Sequence, residues 1–191
     1  MQIEEFRTRY NLLQLQIENT PHIERELRQA AVLIAITHID NELHVILTRR
    51  PTHLRAHPGQ VSFPGGKVEN NDNSIIHTAL REAEEEIALN QSNVEVVGQY
   101  PKMNTFTGFE ITPVIGLVKQ DFTPILDPGE VDEIFTVPLS YLLKSKNRHK
   151  KTFKRNGQMY PVYFIQYQDH FIWGATAAMI NSLCLQLQNK S

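Results

Sequence analysis

The sequence is short of several things, and each shortage closes off a class of protein. Cysteine occurs once, at Cys184, so no internal disulfide framework forms and a reducing compartment suits the chain. No stretch is apolar for long enough to span a bilayer. The first residues carry Glu4, Glu5, Arg7, Arg9 and Glu18 among their apolar positions, unlike the uninterrupted core of a signal peptide. A cytoplasmic location without a membrane partner is the expectation. An excess of one charge is missing too: 19 Lys and Arg stand against 21 Asp and Glu, a net charge of −2, which gives no overall field to draw in nucleic acid or an anionic surface. Any anionic ligand has to be gripped locally. Repeats, low-complexity tracts and linkers are absent as well, and 191 residues with 41% hydrophobic content suit one domain over residues 1–191 with a real core.

What is present reads as alternating strands and helices. Residues 3–17 show helical periodicity through Phe6, Tyr10, Leu13 and Ile17, and Pro21 opens a second short helical piece, so residues 1–29 are expected to form an N-terminal helical extension. Its role stays open among a lid on the substrate site, a homodimer contact and a plain extension of the core. The apolar run 30–37 and the run 43–48, separated by Asp40-Asn41, predict a hairpin whose first strand is covered on both faces. Residues 49–66 then lose periodicity, carry four prolines or glycines before Gly65-Gly66, and read as a long cationic loop. Ser74 is a good N-cap for a helix to about residue 88. Strands are expected at 94–100, 111–118, 133–137 and 160–167, and a last helix at 175–187. This order indicates one α/β domain.

The helix that Ser74 opens is unusual in its acids. At about 100° per residue, Ile75, Ile76, Ala79, Leu80, Ala83 and Ile87 form one stripe roughly 140° wide, with Glu82 and Glu86 within about 40° of each other at its edge and Glu85 displaced by roughly 60°. Like charges four residues apart repel, and acids near a helix C-terminus oppose the macrodipole. A hard divalent cation, Mg²⁺ or Mn²⁺, would compensate all three carboxylates, and Arg81 could orient one of them. For an isolated string of this kind a solvated acidic face is the commoner explanation. Its context decides, and that context is Gly65-Gly66, where backbone can approach a ligand or metal with no side chain between.

Taken together, residues 66–89 resemble the Nudix box: a glycine, five residues, a glutamate, seven residues, then R-E-U-x-E-E-x-G-U with U aliphatic. Gly66, Arg81, Glu82, Glu85, Glu86 and Leu89 match. Asp72 stands for the first glutamate, eight residues rather than seven separate it from Arg81, and Ala88 replaces the late glycine. That glycine often ends a helix in the left-handed conformation, which Asn90 can also adopt, so the helix is expected to end later. The resemblance implies a Nudix-type α/β/α sandwich with a mixed β-sheet and a loop-helix-loop catalytic motif. It also implies hydrolysis of a nucleoside diphosphate linked to another group. Mg²⁺ or Mn²⁺ would be held by Glu82, Glu85 and Glu86 with the Gly66 carbonyl as a further contact, and Arg81, Glu82 and Glu85 would form the catalytic set. Some relatives recruit a carboxylate from a distant loop, for which Glu110, Glu130 and Glu133 are candidates.

Residues 46–66 look like the additional signature of the coenzyme A pyrophosphatase branch. Leu47, Thr48, Arg50, Arg55, Gly59, Phe63, Pro64, Gly65 and Gly66 fall in register, with Ile46 for a leucine and Pro51 for a small residue. This implies a small-molecule substrate, coenzyme A or a derivative, cleaved to adenosine 3',5'-bisphosphate and 4'-phosphopantetheine. Arg50 and Arg55 would contact phosphate, since guanidinium forks match its oxygens. Another Nudix substrate such as ADP-ribose, NADH or a dinucleotide leaves the box unchanged, and a binding module without hydrolysis is the rival of another class. Residues 144–155 carry seven Lys or Arg. They read as an exposed loop, or as an attractor for the 3'-phosphate of coenzyme A; a nucleic-acid role is disfavoured because Phe153 is the run's only aromatic. Trp173 reads as core packing more readily than as an adenine stack, and Cys184 as buried filler.

Overall fold

The two-residue turn predicted at Asp40-Asn41 is formed with φ of 48° and 63°, the left-handed pair that suits the twist of a tight hairpin. It joins β1 (Arg28–Ile39) to β2 (Glu42–Arg49) with Ile39 opposite Glu42. The computed structural model describes residues 1–11, 26–54, 57–155 and 157–188. Of the expected N-terminal extension, α1 (Ile3–Asn11) is a helix. Residues 12–25 lie outside the described residues, and β1 begins at Arg28, two residues inside the expected helical segment.

Further strands follow at β3 (Val61–Ser62), β4 (Gly65–Lys67), β5 (Val94–Gln99), β6 (Met103–Asn104), β7 (Phe109–Val118) and β8 (Glu133–Pro138), with α2 (Ile75–Ile87) between β4 and β5 and α3 (Leu139–Leu143) after β8. The main sheet runs β3-β2-β1-β7-β5, with β4 also on β1, β6 on β7 and β8 on β2. Among the described residues β1 and β7 pair in parallel and the other pairs are antiparallel, so the sheet is mixed as expected. A smaller sheet holds β9 (Arg148–Arg155), β10 (Gln158–Tyr167) and β11 (His170–Trp173), and α4 (Gly174–Gln188) closes the described chain.

Side-chain alternation along β1 fixes the layers. Ala31, Leu33 and Ala35 pack with Ala79, Ala83 and Ile87 of α2, while Ile34 and Ile36 pack with Phe6 and Tyr10 of α1 and Ile180, Leu183 and Leu187 of α4. Helices thus cover both faces of the sheet, and the fold is an α/β/α sandwich. Cys184 is buried in the α4 layer, where burial pushes its thiol up to about 12; it packs and does not react.

Two stretches differ from their expected character. Residues 49–66 contain β3 and β4, because β1 changes partner along one edge: its later half pairs with β2 and its earlier half with β4, Ala31 opposite Gly66 and Val32 opposite Gly65. Residues 148–155 form β9 rather than a loop, since the partner strand β10, rich in Tyr, Phe, Val and Ile, recruits them across eight registered pairs.

Candidate active site

The site lies where β4 crosses in front of α2. Gly65 is pressed onto β1: a Cβ there would come within 2.4 Å of the Ala31 carbonyl oxygen and 2.6 Å of Val32 Cα. At Gly66 a Cβ would lie 2.4 Å from the Glu82 carboxylate. Close approach, not left-handed backbone, is therefore what requires glycine at this second position.

The helix is positioned from both ends. At its start the Ser74 hydroxyl accepts the His77 N–H at 3.1 Å. At its end Ala88 itself takes the left-handed conformation, φ 56° and ψ 29°, while Asn90 has φ −56°. The helix ends at Ile87, one residue before the expected limit, and the alanine carries the strain that the sequence reading transferred to Asn90. Beyond it the loop leading to β8 folds back. Asp127 N–H donates to the Glu86 carbonyl at 3.0 Å and Ile125 N–H to the Ile87 carbonyl at 3.3 Å, satisfying acceptors that a helix end leaves without partners.

That return brings Glu130 to the helix. Glu82, Glu86 and Glu130 each offer a carboxylate oxygen, and these oxygens all lie within 4.8 Å of one another. Glu86 is 4% exposed, and its Oε2 has no hydrogen-bond partner. Burial pushes its carboxyl up to about 8, with Glu130 and Glu82 adding to the rise and Arg50 and the Gly65 N–H opposing it. Glu82 is raised by burial, with Arg81 acting against the rise. The three expected glutamates of the box do not converge. The Glu85 side chain is 58% exposed and pairs with Arg81 at 2.8 Å, as its displacement on the helical wheel allows. Of the distant-loop candidates, Glu110 pairs with Lys102 at 2.6 Å and Glu133 with Arg49 and His170, both at 3.1 Å; Glu130 is the one that joins the cluster.

Arg81 is the hub that fixes these acids. It reaches Glu82 at 3.0 Å and Glu85 at 2.8 Å, and it is held by Asp72 through Nε at 2.9 Å and a terminal nitrogen at 3.0 Å. Asp72 also accepts from the Glu69 N–H, the Thr78 hydroxyl and His77. Its hydrogen bond with Arg81 is the first reason its carboxyl lies far below the usual range, and Asp72 raises Arg81 in return. The sequence reading set Asp72 in the place of the box's first glutamate without giving it a hold on Arg81; the signal for that hold was the eight-residue spacing between them. Arg50 lies close enough to Glu86 to lower its pKa, and its N–H donates to the Gln60 carbonyl at 3.0 Å. Arg55 lies outside the described residues. Leu47, Thr48 and Phe63 of the second signature are buried, so they anchor the loop from within the core. Three carboxylates, one of them with an unpartnered buried oxygen, and an arginine beside them can hold a hard divalent cation and a phosphate at one point.

Comparison with known proteins yields a consistent set of relatives. The family profile described as NUDIX domain matches residues 27–157. A protein named as an uncharacterized Nudix hydrolase, NudL, from Escherichia fergusonii is 40% identical over 188 residues, 97% of this chain and 94% of its own length. Its counterpart from an Enterobacter species is 39% identical over 191 residues, 98% and 96% of the two chains. Among solved structures, a MutT/nudix family protein from Enterococcus faecalis superposes with a TM-score of 0.51 at 18% identity, over 96% of this chain and 68% of that one. RenU, a Nudix hydrolase from M. smegmatis, gives 0.50 at 18% identity over 59% and 71%. These two speak for the fold alone.

Proposed function

Since the chain belongs to the Nudix family and is a pyrophosphate-cleaving hydrolase of that kind, we propose that it hydrolyses coenzyme A or a derivative, releasing adenosine 3',5'-bisphosphate and 4'-phosphopantetheine, with Mg²⁺ or Mn²⁺ held by Glu82, Glu86 and Glu130. The observation that carries the metal assignment is the buried Glu86 oxygen without a partner, surrounded by two more carboxylates. Buried acids in such a group destabilise one another unless a cation compensates them, and a hard ion takes carboxylate oxygens. When bound, the ion supplies charge stabilisation to phosphoryl oxygens and acidifies water.

The chain's own residues do the remaining work. Arg81, locked by Asp72, holds Glu82 in one orientation and keeps Glu85 beside it. The bare backbone of Gly66 leaves Glu82 free of a neighbouring side chain and can offer its carbonyl as a further contact. Glu85 and Glu130 are exposed and can therefore pass a proton to solvent. Arg50, next to Glu86, is placed to grip a phosphate oxygen; Arg55 is assigned the same task on the signature of residues 46–66, which also supports coenzyme A over other nucleotides. No helix among the described residues is long and apolar enough to cross a membrane, and a reducing, cytoplasmic setting is part of this reading.

The test is to incubate the purified protein with coenzyme A, 3'-dephospho-coenzyme A, ADP-ribose and NADH, with Mg²⁺, Mn²⁺ or chelator, and to identify the products by mass spectrometry. Metal-dependent release of adenosine 3',5'-bisphosphate, faster than any other cleavage, is the expected result. Preferential cleavage of ADP-ribose or NADH would overturn the substrate assignment, and turnover in chelator would overturn the metal.

A further inference from the structure

The small sheet β9–β11 presents an outward face that the pyrophosphatase reading does not use. Registered pairs share a face, so the pairs Phe164/Trp173, Gln166/Phe171, Tyr160/Phe153, Val162/Lys151, Phe164/His149 and Gln158/Arg155 place five aromatic rings and the cations Lys151 and Arg155 side by side. The opposite face carries Ile165 and Ile172, which are fully buried against the α4 layer. None of the five rings belongs to either core cluster, and Phe153, Phe171 and Trp173 are each about half exposed. Trp173 is therefore not the core residue that its place before the last helix led us to expect. Phe164 joins the rings, 5.8 Å from Phe171 and 6.5 Å from Phe153 between centroids, and the Arg155 guanidinium lies 4.4 Å from the Phe106 ring, which meets Tyr160 edge-on at 4.9 Å.

We propose that this face binds single-stranded nucleic acid, its bases stacking on the rings and its phosphates meeting the cations of β9. Read in sequence, residues 144–155 lack the interleaved aromatics such binding needs. The fold supplies them from the two neighbouring strands. Charge selects the occupant: seven Lys or Arg and no Asp or Glu fall within 144–155, leaving 12 basic against 21 acidic residues in the rest of the chain. Of these seven, Lys151 and Arg155 lie on the face itself, Lys150 and Lys154 alternate to the other side of the same edge strand, and no carboxylate stands among the face's registered pairs, so the face is cationic on an otherwise acidic protein. A two-fold contact between copies through this face would bring the cations of both copies into one interface whose registered pairs offer no carboxylate to match them. A lipid surface would match a continuous apolar patch better than rings flanked by Gln158, Gln166, Lys151 and Arg155. Rings alternating with cations match the alternation of base and phosphate, and a π-face accepts any base.

The test is fluorescence anisotropy with a labelled, mixed-sequence single strand of about 12 nucleotides, the size of one such site, as DNA and as RNA, titrated with the full chain in chelator at about 50 and 200 mM salt. The single strand is expected to bind more tightly than the same-length duplex. Phe153→Ala with Phe171→Ala should weaken binding at least about fivefold at either salt, with coenzyme A turnover and melting temperature unchanged. Lys151→Gln with Arg155→Gln should flatten the logarithmic salt dependence by about 0.7 for each phosphate that the variant leaves without a cation. No binding by the native protein, equal binding of duplex, or indifference to the aromatic variant overturns the proposal. It is also overturned if the aromatic variant abolishes dimerisation, or adsorption to phosphatidylserine vesicles, while the native protein ignores the single strand. These outcomes are read without turnover, so failure here leaves the pyrophosphatase reading standing.

Discussion

Replacing Ala88 with glycine is expected to stabilise this protein, against the sign that glycine has inside a helix. Ala88 sits at φ 56° and ψ 29°, capping α2 through an N–H that donates to the Glu84 carbonyl at 2.9 Å. The left-handed region costs a non-glycine residue roughly 1–2 kcal/mol, because its Cβ crowds the following carbonyl. Glycine removes that cost but forfeits roughly 0.5–1 kcal/mol of backbone entropy. Ala88 is only half-buried, so the lost methyl takes little packing with it. The balance is a gain of about 1 kcal/mol, worth about 2–4 °C in melting temperature for a chain of this length. Urea unfolding followed by circular dichroism would read it as a higher midpoint at constant slope. Ala83→Gly serves as the control: Ala83 is fully buried inside the same helix, and its loss should cost about 1 kcal/mol in propensity alone, plus packing. Should Ala88→Gly destabilise as Ala83→Gly does, the left-handed cap is not strained in the way argued.

Three other perturbations bear on the acids. Glu86→Gln should abolish metal-dependent turnover yet, at a pH above about 8 where the native group is a buried charge whose Oε2 has no partner, raise the melting temperature of the chelated protein; a fall in that temperature would count against an uncompensated acid. Glu130→Gln is expected to weaken Mn²⁺ binding, measured by calorimetry, and to lower turnover at least about tenfold, whereas Glu110→Gln, which only frees Lys102, should change neither; equal effects would remove Glu130 from the cluster. Asp72→Asn breaks a buried pair with Arg81 and should cost about 3 kcal/mol. Because the Asp72 carboxyl is depressed when folded, its contribution is fully present above the unfolded value near 4 and is lost as pH falls through the folded one. Native protein should therefore lose stability on acidification below about pH 4 faster than the asparagine variant; parallel acid curves would contradict this.

Much of the molecule was legible because its signals are local. The turn at Asp40-Asn41, the Ser74 cap and the apolar stripe of α2 all follow from near neighbours along the chain, whereas the end of the helix at Ala88 does not. The site was legible only in part. The wheel placed Glu82 and Glu86 together at the edge of the buried stripe, and they are buried together. It also displaced Glu85, which indeed turns outward to Arg81. Glu130 stood among three distant candidates, and nothing in the sequence chooses between them, because the choice depends on how the loop before β8 returns. The character of β9 was illegible for the same reason. Lysine-rich and poor in apolar residues, it is a strand only because β10 lies beside it.

The loop's return also explains why the helix end is where it is. A helix that ran on past Ile87 would use its own N–H groups for the carbonyls of Glu86 and Ile87. Ending at a strained Ala88 leaves those two carbonyls open, and the backbone of residues 125–127 takes them. The same turn, closed by the Glu130 N–H on the Asp127 carbonyl at 3.1 Å, then presents Glu130 to Glu82 and Glu86. The strain at the cap and the convergence of the three acids are thus parts of one arrangement. Lengthening α2 by a turn would relieve the first and dissolve the second.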